Sequence, residues 1–134
     1  MIKYRVIPRK SPKDKSVKYY PTTASEKLTF DELVDNIVAE CTLTRADVRA
    51  CIEQFNRHIV NALKNGKTVE IDGLGTVTYS LKGKGTDTEA HFTADFITNL
   101  TPHFRFASSM RKSIKRENLQ FEKFNWVRPA EDGE

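Results

Sequence analysis

Apolar residues recur with the 3.6-residue period of an amphipathic helix in a segment that begins after Thr29. Thr29-Phe30-Asp31-Glu32 supplies a hydroxyl at the N-cap and a glutamate three residues later, the capping-box pattern that satisfies two backbone amides. We therefore predict that a helix begins here. Its apolar face consists of Phe30, Leu33, Val34, Ile37, Val38 and Cys41.

A second segment with the same period follows almost at once. It starts at Thr44, carries Asp47 near the positive end of the helix dipole, and ends at Asn65-Gly66, a signal for a left-handed C-cap. Because only residues 42–43 separate the two segments, the predicted helices must turn back sharply on each other. The apolar stripe of the second helix is Val48, Ile52, Phe55, Ile59, Ala62 and Leu63.

The period changes from 3.6 to 2 after this helix. Apolar and polar residues alternate over 69–71 and again over 77–79, and Asp72-Gly73 supplies turn chemistry between the two runs. Since glycine tolerates positive φ and the close approach of a neighbouring strand, Gly73 and Gly75 fit a tight hairpin. A dinucleotide-binding loop would need a third glycine near position 78 and a helix there, but the chain continues as strand.

The alternation resumes beyond a flexible polar stretch at residues 82–87. It runs through Phe92, Ala94 and Phe96 and then, after Pro102, through Phe104 and Phe106. This pattern predicts a long two-stranded excursion that leaves the sheet and returns to it.

A last helix is predicted to begin near Ser108 or Ser109, with Met110 and Ile114 on one side. Its remaining positions are basic: Arg111, Lys112, Lys115 and Arg116. We expect the aromatic residues that follow to dock on the body of the protein rather than stack on bases, and the final five residues to be disordered. Those aromatic residues are Phe121, Phe124 and Trp126.

The N-terminal residues before the first helix predict two short strands. Residues 3–7 alternate polar and apolar side chains, Pro8 stops the alternation, and a basic loop with proline and serine leads to Tyr19-Tyr20-Pro21. The basic residues of this segment could simply make its loop soluble.

Length and composition indicate one folded domain with additions, since the chain has 134 residues, of which 38% are hydrophobic and 30% charged. The net charge of +4 is unevenly distributed. Residues 1–27 hold eight basic and two acidic residues, and residues 108–120 hold four basic and one acidic residue, whereas residues 28–107 are slightly acidic. Two basic patches favour a polyanionic partner; the alternative is that these lysines and arginines are only solvated.

The sequence offers little support for other classes of function. It has no run of eighteen apolar residues and no secretory signal pattern, so we expect an intracellular protein without a membrane span. Cys41 and Cys51 are expected to be buried, reduced thiols. The histidines have no metal-ligand spacing, and phosphate loops and nucleophile elbows are absent. We therefore expect no catalysis, cofactor, metal or small-molecule substrate.

The order and spacing of these motifs resemble the HU/IHF family of bacterial histone-like proteins over about residues 28–117. No single motif is specific, but the combination is: two capped helices, a Gly-x-Gly hairpin, a β-excursion, a Pro-x-Phe strand and a short basic helix. The sequences that carry the resemblance are Leu43-Thr44-Arg45-Ala46-Asp47, Ala62-Leu63-Lys64-Asn65-Gly66-Lys67, Ile71-Asp72-Gly73-Leu74-Gly75-Thr76-Val77 and Pro102-His103-Phe104-Arg105, with Met110 and Ile114.

The resemblance implies an α+β chain with an HU/IHF-like fold, in a divergent branch that adds strands before the first helix. Such a fold has a two-helix N-terminal hairpin, a three-stranded antiparallel sheet with an extended β-arm, and a short C-terminal helix. The expected organisation is an N-terminal basic β extension at residues 1–27, an HU-like DNA-binding domain at 28–117, and an aromatic and acidic tail at 118–134.

The function that the resemblance implies is non-catalytic binding of double-stranded DNA with little sequence specificity, in DNA condensation and nucleoid architecture in the cytoplasm. The family acts as an intertwined dimer, here a homodimer, whose arms embrace the minor groove while basic residues contact phosphates. Residues carried over as DNA-binding are Lys82, Lys84, Arg105, Arg111, Lys112, Lys115 and Arg116. A separate hypothesis, which the resemblance does not supply, is that the basic N-terminal loop adds auxiliary DNA contacts in place of charge that the arm lacks; its residues are Arg9, Lys10, Lys13, Lys15 and Lys18.

The predicted arm departs from the family pattern. The family's arm is rich in arginine and ends in a proline that intercalates, whereas residues 84–91 contain no proline and include Asp87 and Glu89, with Asp95 close behind. Each carboxylate opposes an anionic ligand. A second interpretation therefore stays open: an HU-like fold that has lost DNA binding and serves as a protein-interaction or scaffolding module.

Overall fold

A computed structural model describes residues 1–125 as two compact units, one formed by the N-terminal residues 1–29 with the chain from Ile114 onward, the other by Phe30–Ser113. The strands are β1 (Ile2–Lys10), β2 (Val17–Thr23), β3 (Val69–Ile71), β4 (Gly75–Gly83), β5 (Ile97–Phe106) and β6 (Phe121–Lys123). The α-helices are α1 (Phe30–Glu40), α2 (Arg45–Lys64) and α3 (Ser108–Ser113). The predicted α+β class is confirmed.

The second helix begins and ends where the sequence predicts. The Asp47 amide donates to Thr44 Oγ1 at 3.2 Å and the Thr44 amide donates to Asp47 Oδ2 at 3.3 Å, which forms a capping box. At the other end Gly66 adopts a φ of +73°, and its amide donates to the Leu63 carbonyl at 3.1 Å. These bonds satisfy terminal backbone groups that the helix cannot pair internally.

Strands β3, β4 and β5 form an antiparallel sheet in that order. Gly73 turns the chain between β3 and β4 with a φ of +74°. Gly75 has a different role, because a Cβ atom there would lie 2.3 Å from the Arg105 carbonyl oxygen and 2.7 Å from Phe104 Cζ. The Gly-x-Gly sequence therefore combines a turn residue with a position where β4 meets β5 without room for a side chain.

The predicted excursion differs from the structure at its return strand. Residues 84–96 are not paired as strand; they contain two short 3₁₀ turns, Glu89–His91 and Ala94–Phe96, and β5 starts only at Ile97. The Phe96 amide donates to the Thr93 carbonyl at 3.1 Å, and the rings of Phe92 and Phe96 lie 5.7 Å apart. The alternation at 92–96 thus reflects local turns rather than an extended strand.

The last helix is shorter than the sequence predicts. It ends at Ser113, so Ile114, Lys115 and Arg116 lie beyond it, which corrects their assignment to this helix. Lys115 has extended backbone angles of −64° and 151°, which stop the helix. Its carbonyl then accepts from the Asn118 amide at 2.9 Å and begins a separate 3₁₀ turn, Arg116–Asn118.

The other unit contains a three-stranded sheet of order β2-β1-β6. Strands β1 and β2 are the two strands that the N-terminal pattern predicts, and they form an antiparallel hairpin. Strand β1 continues through Pro8 to Lys10, which corrects the expectation that Pro8 ends it; among the described strands only β2 pairs with β1 at Pro8, and proline is tolerated at such edge positions. Strand β6 pairs in parallel with the start of β1, placing Phe121 beside Ile2. Strand β6 was not predicted, since the sequence there indicates only docked aromatic residues. Trp126 and the acidic end of the chain lie outside the described residues.

Little of the described chain is fully buried. Among residues 1–125 the buried apolar side chains are Val34, with no exposed surface, and Val48, at 5%. The predicted faces of the helices stay largely accessible, as at Phe30, Leu33 and Phe55. Cys41 and Cys51 are free and exposed, which corrects the expectation of buried thiols. Their helix faces are not covered within one chain.

Residues 1–125 include no helix with both the length and the apolar composition needed to cross a bilayer.

We expect Gly75→Ala to lower the free energy of unfolding by about 3 kcal/mol, the upper end for overpacking, because the methyl group meets the backbone of β5 rather than a movable side chain. Gly85→Ala is the matched control, since no atom lies within 4 Å of the place that its methyl group would take. Urea denaturation at one protein concentration measures both variants. Equal stability of the two proteins would contradict the close approach at Gly75.

Candidate nucleic-acid interface

The sheet of β3, β4 and β5 has one apolar and one polar face. Register pairs Val77 with Phe104, and Leu81 with Leu100, so these side chains share a face. The alternate positions fall on the opposite face, since side chains in a strand alternate in direction. That polar face carries Glu70, Thr76, Thr78, Ser80, Lys82, Asn99, Thr101, His103 and Arg105.

The polar face combines the cations Lys82 and Arg105 with hydroxyl groups and one carboxylate, that of Glu70, which lies opposite Thr76. Arg105 lies opposite Thr76, and Ser80 Oγ is 2.8 Å from His103 Nε2, a hydrogen bond whose donor depends on the histidine tautomer. Arginine, histidine and hydroxyl side chains are the groups that contact phosphate oxygens in protein–DNA complexes. Arg105 was selected from the sequence, but the hydroxyl side chains of Thr76, Thr78 and Ser80 were missed. The sequence signal for them is the alternation of threonine and serine with apolar residues over 76–80.

Arg105 lies at the same end of the sheet as the last helix. The Ala107 amide donates to the Leu74 carbonyl at 2.9 Å and fixes the start of α3 beside the β3–β4 turn. The Arg111 amide donates to the Ala107 carbonyl at 3.0 Å within this helix. The structure therefore brings Arg105, Arg111 and Lys112 to one end of the sheet, all of them exposed.

Lys82 and Lys84 lie at the other end, about 20 Å from Arg105 along the strands. The ladder shifts register between Lys82 and Gly83, and the Thr98 hydroxyl donates to the Lys82 carbonyl at 3.2 Å. Beyond this bulge the Lys84 amide donates to the Phe96 carbonyl at 2.9 Å. Lys84 thus begins the connection that carries the acidic residues Asp87, Glu89 and Asp95.

The remaining predicted residues of this set, Lys115 and Arg116, belong to the N-terminal unit. The guanidinium of Arg116 lies 4.3 Å from the centre of the Phe121 ring, within the range of a cation–π contact. Their predicted grouping with Arg111 on one helix is therefore wrong, although the prediction that they bind DNA is not tested by this placement.

The auxiliary residues lie on the β1–β2 hairpin of the same unit. Arg9 and Lys18 are register partners, Lys10 pairs with Val17, and Lys13 and Lys15 lie in the connecting loop. Lys15 adopts a φ of +56°, which non-glycine residues rarely do.

Two arginines at the start of α2 are neutralised by carboxylates of α1. Arg45 Nη1 lies 3.0 Å from Asp35 Oδ1, and Arg49 forms an ion pair with Asp31. The Arg49 guanidinium also lies 5.4 Å from the centre of the Phe30 ring. These arginines are therefore weaker candidates for phosphate contacts than Arg105, for which residues 1–125 show no ion pair.

Groups of three or more histidine, cysteine, aspartate or glutamate residues that could hold a metal ion do not occur within residues 1–125.

The fold is that of an α+β chain with a polar sheet face that carries Lys82 and Arg105. The chain belongs to the HU-HIG family, described as an HU domain fused to a winged helix-turn-helix, an Ig domain or a glycine-rich motif; the family model matches residues 1–123. It is therefore a member of the HU/IHF-like DNA-binding proteins. The match includes the N-terminal hairpin, which the resemblance over residues 28–117 does not cover.

The proteins that are similar to this chain include one curated relative and one solved structure. Integration host factor subunit alpha of Zymomonas mobilis subsp. mobilis is 43% identical over 49 residues, which cover 37% of this chain and 49% of that protein. The chain thus spans about half the length of the curated relative that it matches. A crystal structure of a candidate bacterial DNA-binding protein from Bacteroides vulgatus superposes with a TM-score of 0.62 at 16% identity, covering 91% of this chain and 47% of the other. The second likeness concerns the fold.

Proposed function

We propose that this chain is a non-catalytic DNA-binding protein of the HU/IHF type, which binds duplex DNA with little sequence specificity through its phosphates. The observation that carries the proposal is the polar face of the β3-β4-β5 sheet, where Arg105 and Lys82 stand among hydroxyl side chains. In this role the protein condenses and organises DNA in the nucleoid and is cytoplasmic.

The weak sequence specificity follows from the chemistry of this face. Its cations release counterions from phosphates, a term that depends on the number of contacts and not on the bases. The sheet ladder fixes the backbone of these residues, so the cost of ordering on binding is confined to their exposed side chains. Arg111 and Lys112 of α3 extend the same contact surface beyond Arg105.

The binding unit in this proposal is a homodimer. Phe104 and Phe106 are 45% and 47% exposed in the single chain, and their rings pack edge to face at 4.9 Å. Leu81 and Leu100 leave the same face equally accessible. A second copy that covers this apolar face supplies the core that one chain lacks, since large apolar patches on soluble proteins mark interaction sites.

The second candidate is a scaffold that binds protein instead of DNA. It is favoured by the connection at residues 84–96, which contains Asp87, Glu89 and Asp95 and no proline. Salt distinguishes the two functions, because DNA binding weakens steeply with ionic strength. Binding to random-sequence duplex that is weak and insensitive to salt would support the scaffold.

Neutralising Arg105 and Lys82 together, as Arg105→Gln with Lys82→Gln, is expected to weaken binding equally on unrelated duplex sequences. The slope of log affinity against log salt should become shallower by about 1.8 for each protomer in contact, at about 0.9 per phosphate. Fluorescence anisotropy over a salt series measures it. Arg57→Gln with Lys64→Gln, both on α2, removes the same charge and should leave the slope nearly unchanged. Equal slopes for the two double variants would show that the polar sheet face is not the binding surface.

The homodimer predicts that the melting temperature rises with protein concentration, because association stabilises the folded state by mass action. Calorimetry over a hundredfold concentration range tests this, with sedimentation equilibrium as the direct measurement of mass. We expect twice the 15.3 kDa of the chain. A constant melting temperature together with a monomer mass would contradict the proposed assembly.

A further inference from the structure

The N-terminal sheet sorts its side chains onto two faces of different character. Arg9 pairs with Lys18, and Ile7 with Tyr20, so these four side chains share one face. The Arg9 guanidinium lies 5.8 Å from the centre of the Tyr20 ring, which agrees with this assignment. The opposite face is mainly apolar and contains Ile2, Tyr4, Val6, Val17, Tyr19, Pro21 and Phe121.

The charged face extends along most of β1. Lys3 and Arg5 occupy the same alternation as Arg9, and the distance from Lys3 to Arg9 along the strand is about 20 Å. Glu122 is the register partner of Lys3 and offsets the charge at that end. A duplex carries about one phosphate per 1.7 Å of its axis, so about 12 phosphates occur along a length equal to this row.

The loop between β1 and β2 continues the row with Lys13 and Lys15, both exposed. Local hydrogen bonds order it: the Ser11 amide donates to the Ser16 carbonyl at 2.9 Å, and the Lys15 amide donates to the Ser11 carbonyl at 3.2 Å. The carboxylate of Asp14 accepts from the Ser16 hydroxyl at 2.8 Å and from the Ser16 amide at 3.1 Å. The hydrogen bond from the Ser16 hydroxyl lowers the pKa of Asp14, so this carboxylate stays ionised and offsets part of the charge of the two lysines.

We propose that this charged face of the β1–β2 hairpin, with Arg9, Lys18 and the lysines at its tip, is a second surface that binds the phosphate backbone of duplex DNA. This proposal rests on the proposed function, because it takes DNA as the ligand. It concerns a different unit from the one that contains Arg105. It also selects among the predicted auxiliary residues, because Lys10 pairs with Val17 and so alternates to the apolar face.

The chemistry favours a nucleic-acid backbone over other anionic partners. A lipid surface would engage apolar side chains together with the cations, but apart from Ile7 and Tyr20 the apolar residues of this hairpin lie on the opposite face. The cations instead form a row with Tyr20 between them, and tyrosine hydroxyls also contact phosphates in DNA complexes. The length of this row and its excess of positive charge, which Glu122 and Asp14 offset only in part, match an extended polyanion.

Lysine acetylation footprinting of the unaltered protein tests the surface directly. Addition of a random-sequence duplex should slow acetylation of Lys3, Lys13, Lys15 and Lys18 several-fold, as measured by mass spectrometry. Lys123 is the internal control, because its register with Tyr4 places it on the apolar face. Equal protection of Lys123 and Lys18, or protection of neither, would overturn the proposal.

A pair of double variants supplies the second measurement. Arg9→Gln with Lys18→Gln should make the salt slope for duplex DNA shallower by about 1.8 per protomer in contact. Lys27→Gln with Lys123→Gln removes the same charge from this unit and should leave the slope close to that of the unaltered protein. Circular dichroism melting curves establish that both variants are folded.

The outcomes separate this inference from the proposed function. If the unaltered protein does not bind duplex DNA, the proposed function fails. If it binds and Arg105→Gln with Lys82→Gln weakens the binding, while the hairpin variant matches its control, only the second surface is overturned. The second surface would also be overturned if the hairpin variant lost binding to phosphatidylserine vesicles or to double-stranded RNA while its salt slope for DNA stayed unchanged.

Discussion

The two-residue alternation of the β4–β5 ladder is the constraint on which the rest of the structure depends. With Val77 paired to Phe104 and Thr76 paired to Arg105, each step along the sheet places an apolar pair on one face and a polar pair on the other. A one-residue slip would exchange the faces. Gly75 fixes the register at one end, since its missing side chain admits the β5 backbone. In the proposed function, assembly and ligand binding therefore use opposite sides of the same strands.

The core of the single chain is small because the apolar face of this sheet stays exposed within one chain. Val34 and Val48 are buried, while aromatic and aliphatic residues of the helices and of the sheet's apolar face remain exposed. At about 25 cal/mol for each Å² of apolar surface removed from water, covering such faces is a large part of the stability of a chain this size. In the proposed dimer, the same association that completes the core also doubles the number of cations presented to a duplex.

The sequence predicts local structure here better than long-range arrangement. Capping at Thr44, the turn at Gly73 and the hairpin at residues 2–23 depend on neighbouring residues, so they could be read directly. The end of α3 could not be predicted in this way, because the basic pattern at 111–116 continues past the point where the backbone becomes extended at Lys115. Strand β6 was missed since its pairing with β1 joins residues more than a hundred positions apart. Burial of Cys41 was predicted wrongly because periodicity identifies an apolar face but not what covers it.

The acidic connection at residues 84–96 begins at the end of the sheet far from Arg105, which limits the effect of its carboxylates on that residue. Arg105 lies opposite Thr76, about 23 Å along β4 from Gly83, where the connection begins. This is almost three times the screening length of about 8 Å at physiological ionic strength, so Asp87, Glu89 and Asp95 weaken the field at Arg105 very little. Lys82 and Lys84 lie at the end of the sheet where this connection begins, so its carboxylates reduce the attraction of these lysines for phosphate more than that of Arg105. In the proposed function Arg105, with Arg111 and Lys112, therefore makes the stronger phosphate contacts and Lys82 a weaker one, and the proposed hairpin surface adds cations that the connection lacks.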